Sequence, residues 1–271
     1  MTIRIATYNI RKGGRKRQGF LADVVRALDS DLTILQEATD PAVVRCLAEA
    51  TGAEVVIHAR GRSVAVISRL PVGRVTWHRM APTRSFVEVE LAGIGVRVLG
   101  VHLSAGLSRR GERRRVREID RVLEVACAAP GPARTLIVGD LNAVAPGDLT
   151  SVVDLPVWIR LLLRVDGGIG TAVITSVLAG GFTDGFRHLN PGLVGSTMPV
   201  AAPSVRLDYL MIGRDLLPAL VACGPGSVPF AKLLAASDHV PVVADLDLRA
   251  LVTAQADMQA QGARGPAETS L

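Results

Sequence analysis

Thr135-Leu136-Ile137-Val138-Gly139-Asp140-Leu141-Asn142 reads as a buried strand that runs straight into polar residues. An unbroken run of β-branched and aliphatic side chains, without polar alternation, is what a strand covered on both faces requires. Gly139 allows close backbone approach, and Asp140 and Asn142, two positions apart, fall on one side of an extended chain. The stretch therefore predicts a sheet sandwiched between other layers, with chemistry gathered at its end.

Working outward, the same pattern recurs along the chain. Ile3 to Ile10 carries Thr7-Tyr8-Asn9, Leu32 to Leu35 leads into Gln36-Glu37, Val205 to Ile212 contains Arg206-Leu207-Asp208-Tyr209, and Ser237-Asp238-His239 adjoins Val240 to Leu248. Each of these polar segments is expected at the carboxyl end of an apolar run, which is how a sheet collects distant groups into one site. The collection is rich in hard oxygen ligands, so a divalent cation such as magnesium is the natural occupant.

Helices are predicted from about Gly19 to Leu28, from Pro41 to Gly52 and from Ser108 to Ala128, with further helical material within Leu149 to Leu178. Between them, short strands are predicted at 54–58, 64–68, 73–78, 85–91 and 96–103, the fourth alternating with period two through Phe86-Val87-Glu88-Val89-Glu90-Leu91. Two mixed halves of this kind suit an α/β (α+β) four-layer sandwich, with two mixed β-sheets facing each other and helices on the outer faces. Residues 1–250 are expected to form one domain, and the Gln-, Gly- and Ala-rich residues 251–271 a disordered tail.

With 271 residues, 49% of them apolar, the chain has material for a substantial core. Its net charge of +6 comes almost entirely from Arg, which suits a phosphate-bearing substrate as well as an Arg-rich base composition. The 108–128 helix puts Arg113, Arg114, Arg117 and Arg121 largely outside its apolar stripe, an arrangement that a solvated face explains as readily as nucleic-acid contact. Cys46, Cys127 and Cys223 are isolated, so neither a disulfide framework nor a zinc site is indicated, and a reducing compartment fits. The amino terminus has no signal-peptide pattern and no apolar run reaches the ~20 residues of a membrane span, so a cytoplasmic location is expected.

Six segments, in order, give a resemblance to the endonuclease/exonuclease/phosphatase superfamily of metal-dependent phosphoesterases, over roughly residues 3–248. They are Thr7-Tyr8-Asn9, Leu35-Gln36-Glu37, Val101-His102-Leu103-Ser104, Gly139-Asp140-Leu141-Asn142, Arg206-Leu207-Asp208-Tyr209 and Ser237-Asp238-His239. The resemblance implies that Glu37 is the main metal ligand, with Asn9 and Asp238 beside it, and that magnesium, with manganese as an alternative, is the cofactor. It further implies that Asp140 activates the attacking water, that Asn142 and His102 contact the phosphate, and that Asp208 pairs with His239 against the scissile group. His58, His78 and His188 match nothing in the family and are read as structural.

Apurinic-site endonucleases carry an acidic residue two positions after the first Asn, where this chain has Arg11. The departure turns the reading from DNA-repair chemistry toward a phosphate contact by Arg11, and an aromatic content of 3% leaves few rings for wedging or stacking on bases. The expected activity is metal-dependent hydrolysis of a phosphodiester, nuclease-like, on a phosphate-ester substrate such as nucleic acid, without a stable protein partner. Two alternatives stand beside it: a phospholipid or phosphoinositide phosphoesterase, for which Trp158 and Leu161 to Leu163 could touch lipid, and a silent phosphate- or nucleic-acid-binding module. Against the latter, Glu37, Asp140, Asp208, Asp238 and His239 are all present.

Overall fold

The computed structural model describes residues 1–106, 108–128, 131–148 and 170–250. The expectations for a tail at 251–271 and for a lipid-contacting segment around Trp158 and Leu161 to Leu163 lie outside the described residues. Along the chain come β1 (Thr2–Asn9), α1 (Gln18–Leu28), β2 (Leu32–Gln36), α2 (Pro41–Thr51), β3 (Val55–His58), β4 (Val64–Ser68), β5 (Val72–Ala81), β6 (Arg84–Leu91), β7 (Val96–His102), α3 (Arg109–Cys127) and β8 (Thr135–Asp140). They are followed by α4 (Ala172–Ala179), β9 (Phe182–Asp184), α5 (Gly185–Leu189), β10 (Asp208–Gly213), β11 (Leu220–Pro225), α6 (Phe230–Ala236) and β12 (Val242–Asp247).

Two mixed six-stranded sheets result, in the orders β11-β12-β1-β2-β4-β3 and β5-β6-β7-β8-β10-β9. Their inner faces meet through Ile3, Ile5, Ile34, Val66, Val87, Val98, Leu136, Val138 and Leu210, all buried. On the first sheet's outer face, Leu21, Val25, Val44 and Leu47 of α1 and α2 pack with Leu233 of α6. Ile119 and Val122 of α3 and Val173 and Val177 of α4 cover the second sheet. This is the four-layer sandwich that the apolar runs called for, because each sheet has an apolar face to bury on both sides. Among the described residues no helix is long and apolar enough to cross a membrane.

Both sheets are built around one parallel pair. Asn9 lies opposite Gln36 at the ends of β1 and β2, and His102 lies opposite Asp140 at the ends of β7 and β8. The neighbouring strands β12 and β10 run antiparallel, so their starts reach the same rim: Val242 lies opposite Thr7, and Asp208 opposite Asp140. The expectation that every polar segment ends an apolar run is therefore corrected for two of them. Asp208 opens β10 and His239 precedes β12, because an antiparallel neighbour enters where a parallel pair leaves.

Several local readings also change. Val205 does not begin β10; it forms an isolated bridge to Met198. The edge strands β9 and β11 and the short helices α5 and α6 have no counterpart among the sequence expectations. Gly139, at φ +151°, is required by tertiary packing, since an added Cβ would lie 1.9 Å from the Val101 carbonyl oxygen.

Arg206, 4% exposed, is the charged lock of this half. Its guanidinium donates to both oxygens of Asp184 (2.8 and 2.5 Å) and to Asp148 (2.7 Å), and sits 4.5 Å from the Tyr209 ring centroid. Breaking a buried ion network from one side leaves the remaining charges uncompensated. Arg206→Ala is expected to lower unfolding free energy by about 3–5 kcal/mol in urea titration, and a loss under ~1 kcal/mol would contradict the account.

Candidate active site

The rim where the strand ends meet is occupied by the polar side chains of the six segments. Asn9, Asp140, Asp208, His239 and His102 are buried, while Glu37, Asn142 and Asp238 are half-buried at the opening. Asn9 joins the two sheets: its Nδ2 donates to Asp140 Oδ2 at 3.0 Å and to Glu37 Oε1 at 3.4 Å. The same side chain accepts the Arg11 N–H on Oδ1 at 2.9 Å, so both ends of the amide are fixed.

Glu37 leaves β2 with φ +52° and receives the Lys12 N–H on Oε2 at 2.6 Å. A non-glycine residue in this region is uncommon and marks a backbone bent for a purpose. Behind Asn9, the Ser237 hydroxyl donates to the Asn9 carbonyl at 2.7 Å, which ties the β1 end to the segment before β12. Arg17 strengthens that tie by donating to the carbonyls of Ile10 (3.1 Å), Arg11 and Ala236.

On the second sheet, Asp140 Oδ1 accepts the Asn142 N–H at 2.8 Å, and the Asn142 amide donates to the Leu103 carbonyl at 3.1 Å. Asn142 adopts φ +46°, so the strict alternation assumed from the sequence stops at Asp140. His102 reaches toward the same carboxylate, with Nε2 3.9 Å from Asp140 Oδ2 and Nδ1 3.2 Å from the Ser63 hydroxyl. Asp208, directly across from Asp140, holds His239 Nδ1 at 2.9 Å. Its other oxygen, Oδ1, is buried without a hydrogen-bond partner among the described residues.

These contacts give the two histidines different charge states. For His239, burial alone would lower the pKa, but the Asp208 charge and hydrogen bond, with Asp140 and Asp238 nearby, raise it to about 10. For His102, burial and the positive charges of Arg84 and His239 lower it to about 3. His102 is therefore neutral, and its 3.9 Å approach to Asp140 is neither an ion pair nor a hydrogen bond. Asp140 is pushed upward by burial and by the Asp208 carboxylate, against the opposing effects of His239 and the hydrogen bonds from Asn9 and Asn142.

Two donor sets could hold a metal ion. Asp140, Asp208 and His239 offer ligand atoms within 4.8 Å of one another, but His239 Nδ1 is already committed to Asp208. Glu37 and Asp238, half-buried at the opening, offer carboxylate oxygens and the buried Asn9 beside Glu37 an amide oxygen that also accepts the Arg11 N–H, donors of the kind a hard cation takes. The orphaned Asp208 oxygen fits a cationic or proton-bearing ligand nearby, because a buried acceptor without a partner is costly. Arg11 stands 3.3 Å from Asp238 and so lies at the mouth, in an ion pair rather than free.

Sequence reasoning missed four supporting residues. Ser63 sets the His102 ring, Thr197 Oγ1 accepts the N–H of Leu207 (3.0 Å), Arg84 donates to the His102 carbonyl (2.6 Å), and Arg17 binds the carbonyls above. None lies in a polar segment that follows an apolar run, so no periodicity signal was available. His58 and His78 engage the Ala38 carbonyl (2.9 Å) and Glu88 (2.7 Å), contacts that lie within packing.

Because the folded His239 pKa lies above its ordinary 6.5, the pair stabilises the fold fully below about 6.5 and ceases to as pH rises through about 10. Nitrogen NMR of the metal-free protein should find the imidazole protonated at pH 8. Asp208→Asn should bring its titration down by at least ~2 units, since burial then goes uncompensated. An unchanged titration would dissociate the two residues.

The sequence profile of the Endonuclease/Exonuclease/phosphatase family matches residues 6–239. No curated protein matches the sequence. Among solved structures, the chain is similar to an AP endonuclease from Archaeoglobus fulgidus, with TM-score 0.70, 20% identity, and coverage of 90% of this chain and 99% of that one. It is similar to the 3′ phosphatase NExo from Neisseria bound to product DNA hairpin (TM-score 0.68, 18% identity, 90% and 99% covered). The 3′-5′ exonuclease NExo from Neisseria meningitidis gives TM-score 0.66 and 19% identity, with 90% and 100% covered. At these identities the three structures speak for the fold. The family profile, spanning the rim from β1 to His239, speaks for the chemistry: this chain belongs to the endonuclease/exonuclease/phosphatase family of metal-dependent phosphoester hydrolases.

Proposed function

We propose that the protein is a magnesium-dependent phosphodiesterase of nuclease type, acting through the residues of the rim. The observation that carries this reading is the cross-strand pair of buried carboxylates, Asp140 and Asp208, which share the cationic His239 between them. Like charges directly opposed across strands are destabilising, and a fold keeps them where they serve chemistry.

In this reading Asp140, held by Asn9 and the Asn142 N–H, accepts the proton of the water that attacks phosphorus. The His239 imidazolium donates from Nε2 to a phosphoryl oxygen as negative charge builds there, and Asp208 keeps it charged and oriented. Neutral His102 and the Asn142 amide add hydrogen bonds to the same oxygens. Fixed donors aimed at the developing charge supply most of the rate enhancement in such sites. Glu37, Asn9 and Asp238 would hold the magnesium ion, which when bound supplies Lewis-acid charge at the phosphate. Manganese is the alternative, since it takes the same oxygen donors. Arg11, exposed at the mouth, suits a contact to the phosphate of the incoming substrate. The free, unpaired cysteines support a reducing, cytoplasmic setting.

Cleavage of bis-para-nitrophenyl phosphate should vanish in EDTA and return with magnesium or manganese. Asp140→Asn and His239→Ala should each lower it by at least ~100-fold while the thermal melt stays cooperative. A folded variant with wild-type turnover would remove that residue from the mechanism. Glu37→Gln should raise the magnesium concentration for half-maximal rate at least ~10-fold, which a metal titration reads directly.

A further inference from the structure

Beside the rim, on the far side of His102, lies a groove of about 420 Å³ lined by Thr83, Arg84, Ser104, Arg114, Arg117 and Glu118. Its floor is charge-neutral. Glu118 accepts the Ser104 N–H (2.8 Å) and hydroxyl (2.5 Å) and lies 3.7 Å from the Arg84 guanidinium. Arg84 in turn donates to the His102 carbonyl at 2.6 Å, so the floor is fastened to the strand that carries His102. Ser104 follows His102 by two residues, an extended reach of at most about 7 Å.

The wall is different. Arg114 and Arg117 are exposed, and among the described residues no carboxylate pairs with either. Arg110, one turn earlier on α3, is likewise exposed and without a carboxylate partner, whereas Arg121, one turn later, is bound by Glu124 at 2.6 Å. Positions 110, 114 and 117 share one helix face with roots about 5–6 Å apart. The reason they project outward is visible across the helix, where Arg115, Ile119 and Val122 are buried, with Glu118 buried at the edge between the two faces. Arg115 donates to the carbonyls of Ser104 (3.2 Å) and Gly106, which fixes the rotation of the helix.

A row of guanidiniums that have no carboxylate partner among the described residues, beginning beside the candidate site, matches a ligand whose negative charges repeat along a line. A compact headgroup would engage one guanidinium pair and leave the rest idle, whereas a strand of linked phosphates engages the row. We propose that this groove and the Arg110–Arg114–Arg117 face of α3 bind the phosphate backbone of a nucleic-acid strand next to the scissile phosphate. The inference rests on the phosphodiesterase reading above and narrows its substrate to one with phosphates on both sides of the cut. Recognition here is of charge and spacing, not of base, in keeping with the two Trp, two Tyr and five Phe of the whole chain.

The test compares wild type with Arg114→Ala/Arg117→Ala in two assays. Binding of a fluorescent single-stranded oligodeoxynucleotide in EDTA, at roughly 50 and 200 mM salt, reads the groove. Turnover of bis-para-nitrophenyl phosphate, which carries a single phosphate, reads the centre. The variant should bind the strand at least ~10-fold more weakly, and its salt slope should fall by about 1.4 for two lost contacts. Small-diester turnover should be unchanged, and Arg114→Lys/Arg117→Lys should keep the slope. Undetectable strand binding by wild type, or equal binding by the Ala variant, overturns the proposal. So does loss of phosphatidylserine-vesicle binding in the variant with strand binding intact, which would assign the face to a membrane. Inert wild type toward the small diester would count against the phosphodiesterase reading alone, because the binding assay stands without turnover.

Discussion

The two sheets meet at the rim through buried polar contacts, and the central one is the amide of Asn9, on the first sheet, donating to Asp140 on the second, with His239–Asp208 and His102–Ser63 on either side. Face-to-face sheets are located by interdigitating aliphatic side chains, which tolerate small slides. A charge-assisted bond between buried partners tolerates far less, and is worth about 1.5–3 kcal/mol. The same amide sets Glu37 through its second contact and receives the Arg11 N–H, while Ser237 seizes its backbone carbonyl. Glu37, Asp140, Arg11 and Ser237 are therefore all positioned with reference to one residue.

That geometry brings carboxylates together, and charge balance decides which neighbours they can have. Asp140 and Asp208 meet across adjacent strands with a single imidazolium between them. Were His102 also charged, it would offset the second carboxylate and leave little call for another cation. Burial, Arg84 and His239 keep it neutral, so the centre stays electron-rich until an outside cation arrives. Arg84 thus acts at two places, biasing His102 through space and fastening the groove floor through Glu118.

The sequence made the architecture readable because both sheets are covered twice, which writes β2, β4 and β8 as largely apolar runs. It made the site readable because the polar segments stand where those runs stop. What stayed hidden has a common physical cause, namely pairing that only the fold creates. Arg115 and Glu118 sit in a helix so rich in charge that burial of two members leaves no mark on its pattern. Arg206 looked like part of a functional motif and serves to anchor β10 through Asp184 and Asp148, residues far from it in sequence. The place of Asp208 at the start of β10 rather than at a strand end was hidden for the same reason, since an apolar run does not record whether its neighbour is parallel. Edge strand β11 hides in Ala222-Cys223-Gly224-Pro225, where Gly and Pro read as a turn.

The contacts that close the rim span 131 residues from Asn9 to Asp140 and 228 from Ser237 to Asn9. Such closures come late in folding, because the chain entropy of a long loop must be overcome before the contact can reward it. A chain emerging from synthesis has its first strand long before it has Ser237 or His239, and so carries fragments of the centre without the centre. The centre is therefore complete only when the segment before the last strand has joined the first. The order of the segments thus ties the assembly of the site to the folding of the whole chain, with no part of the centre available from one half alone.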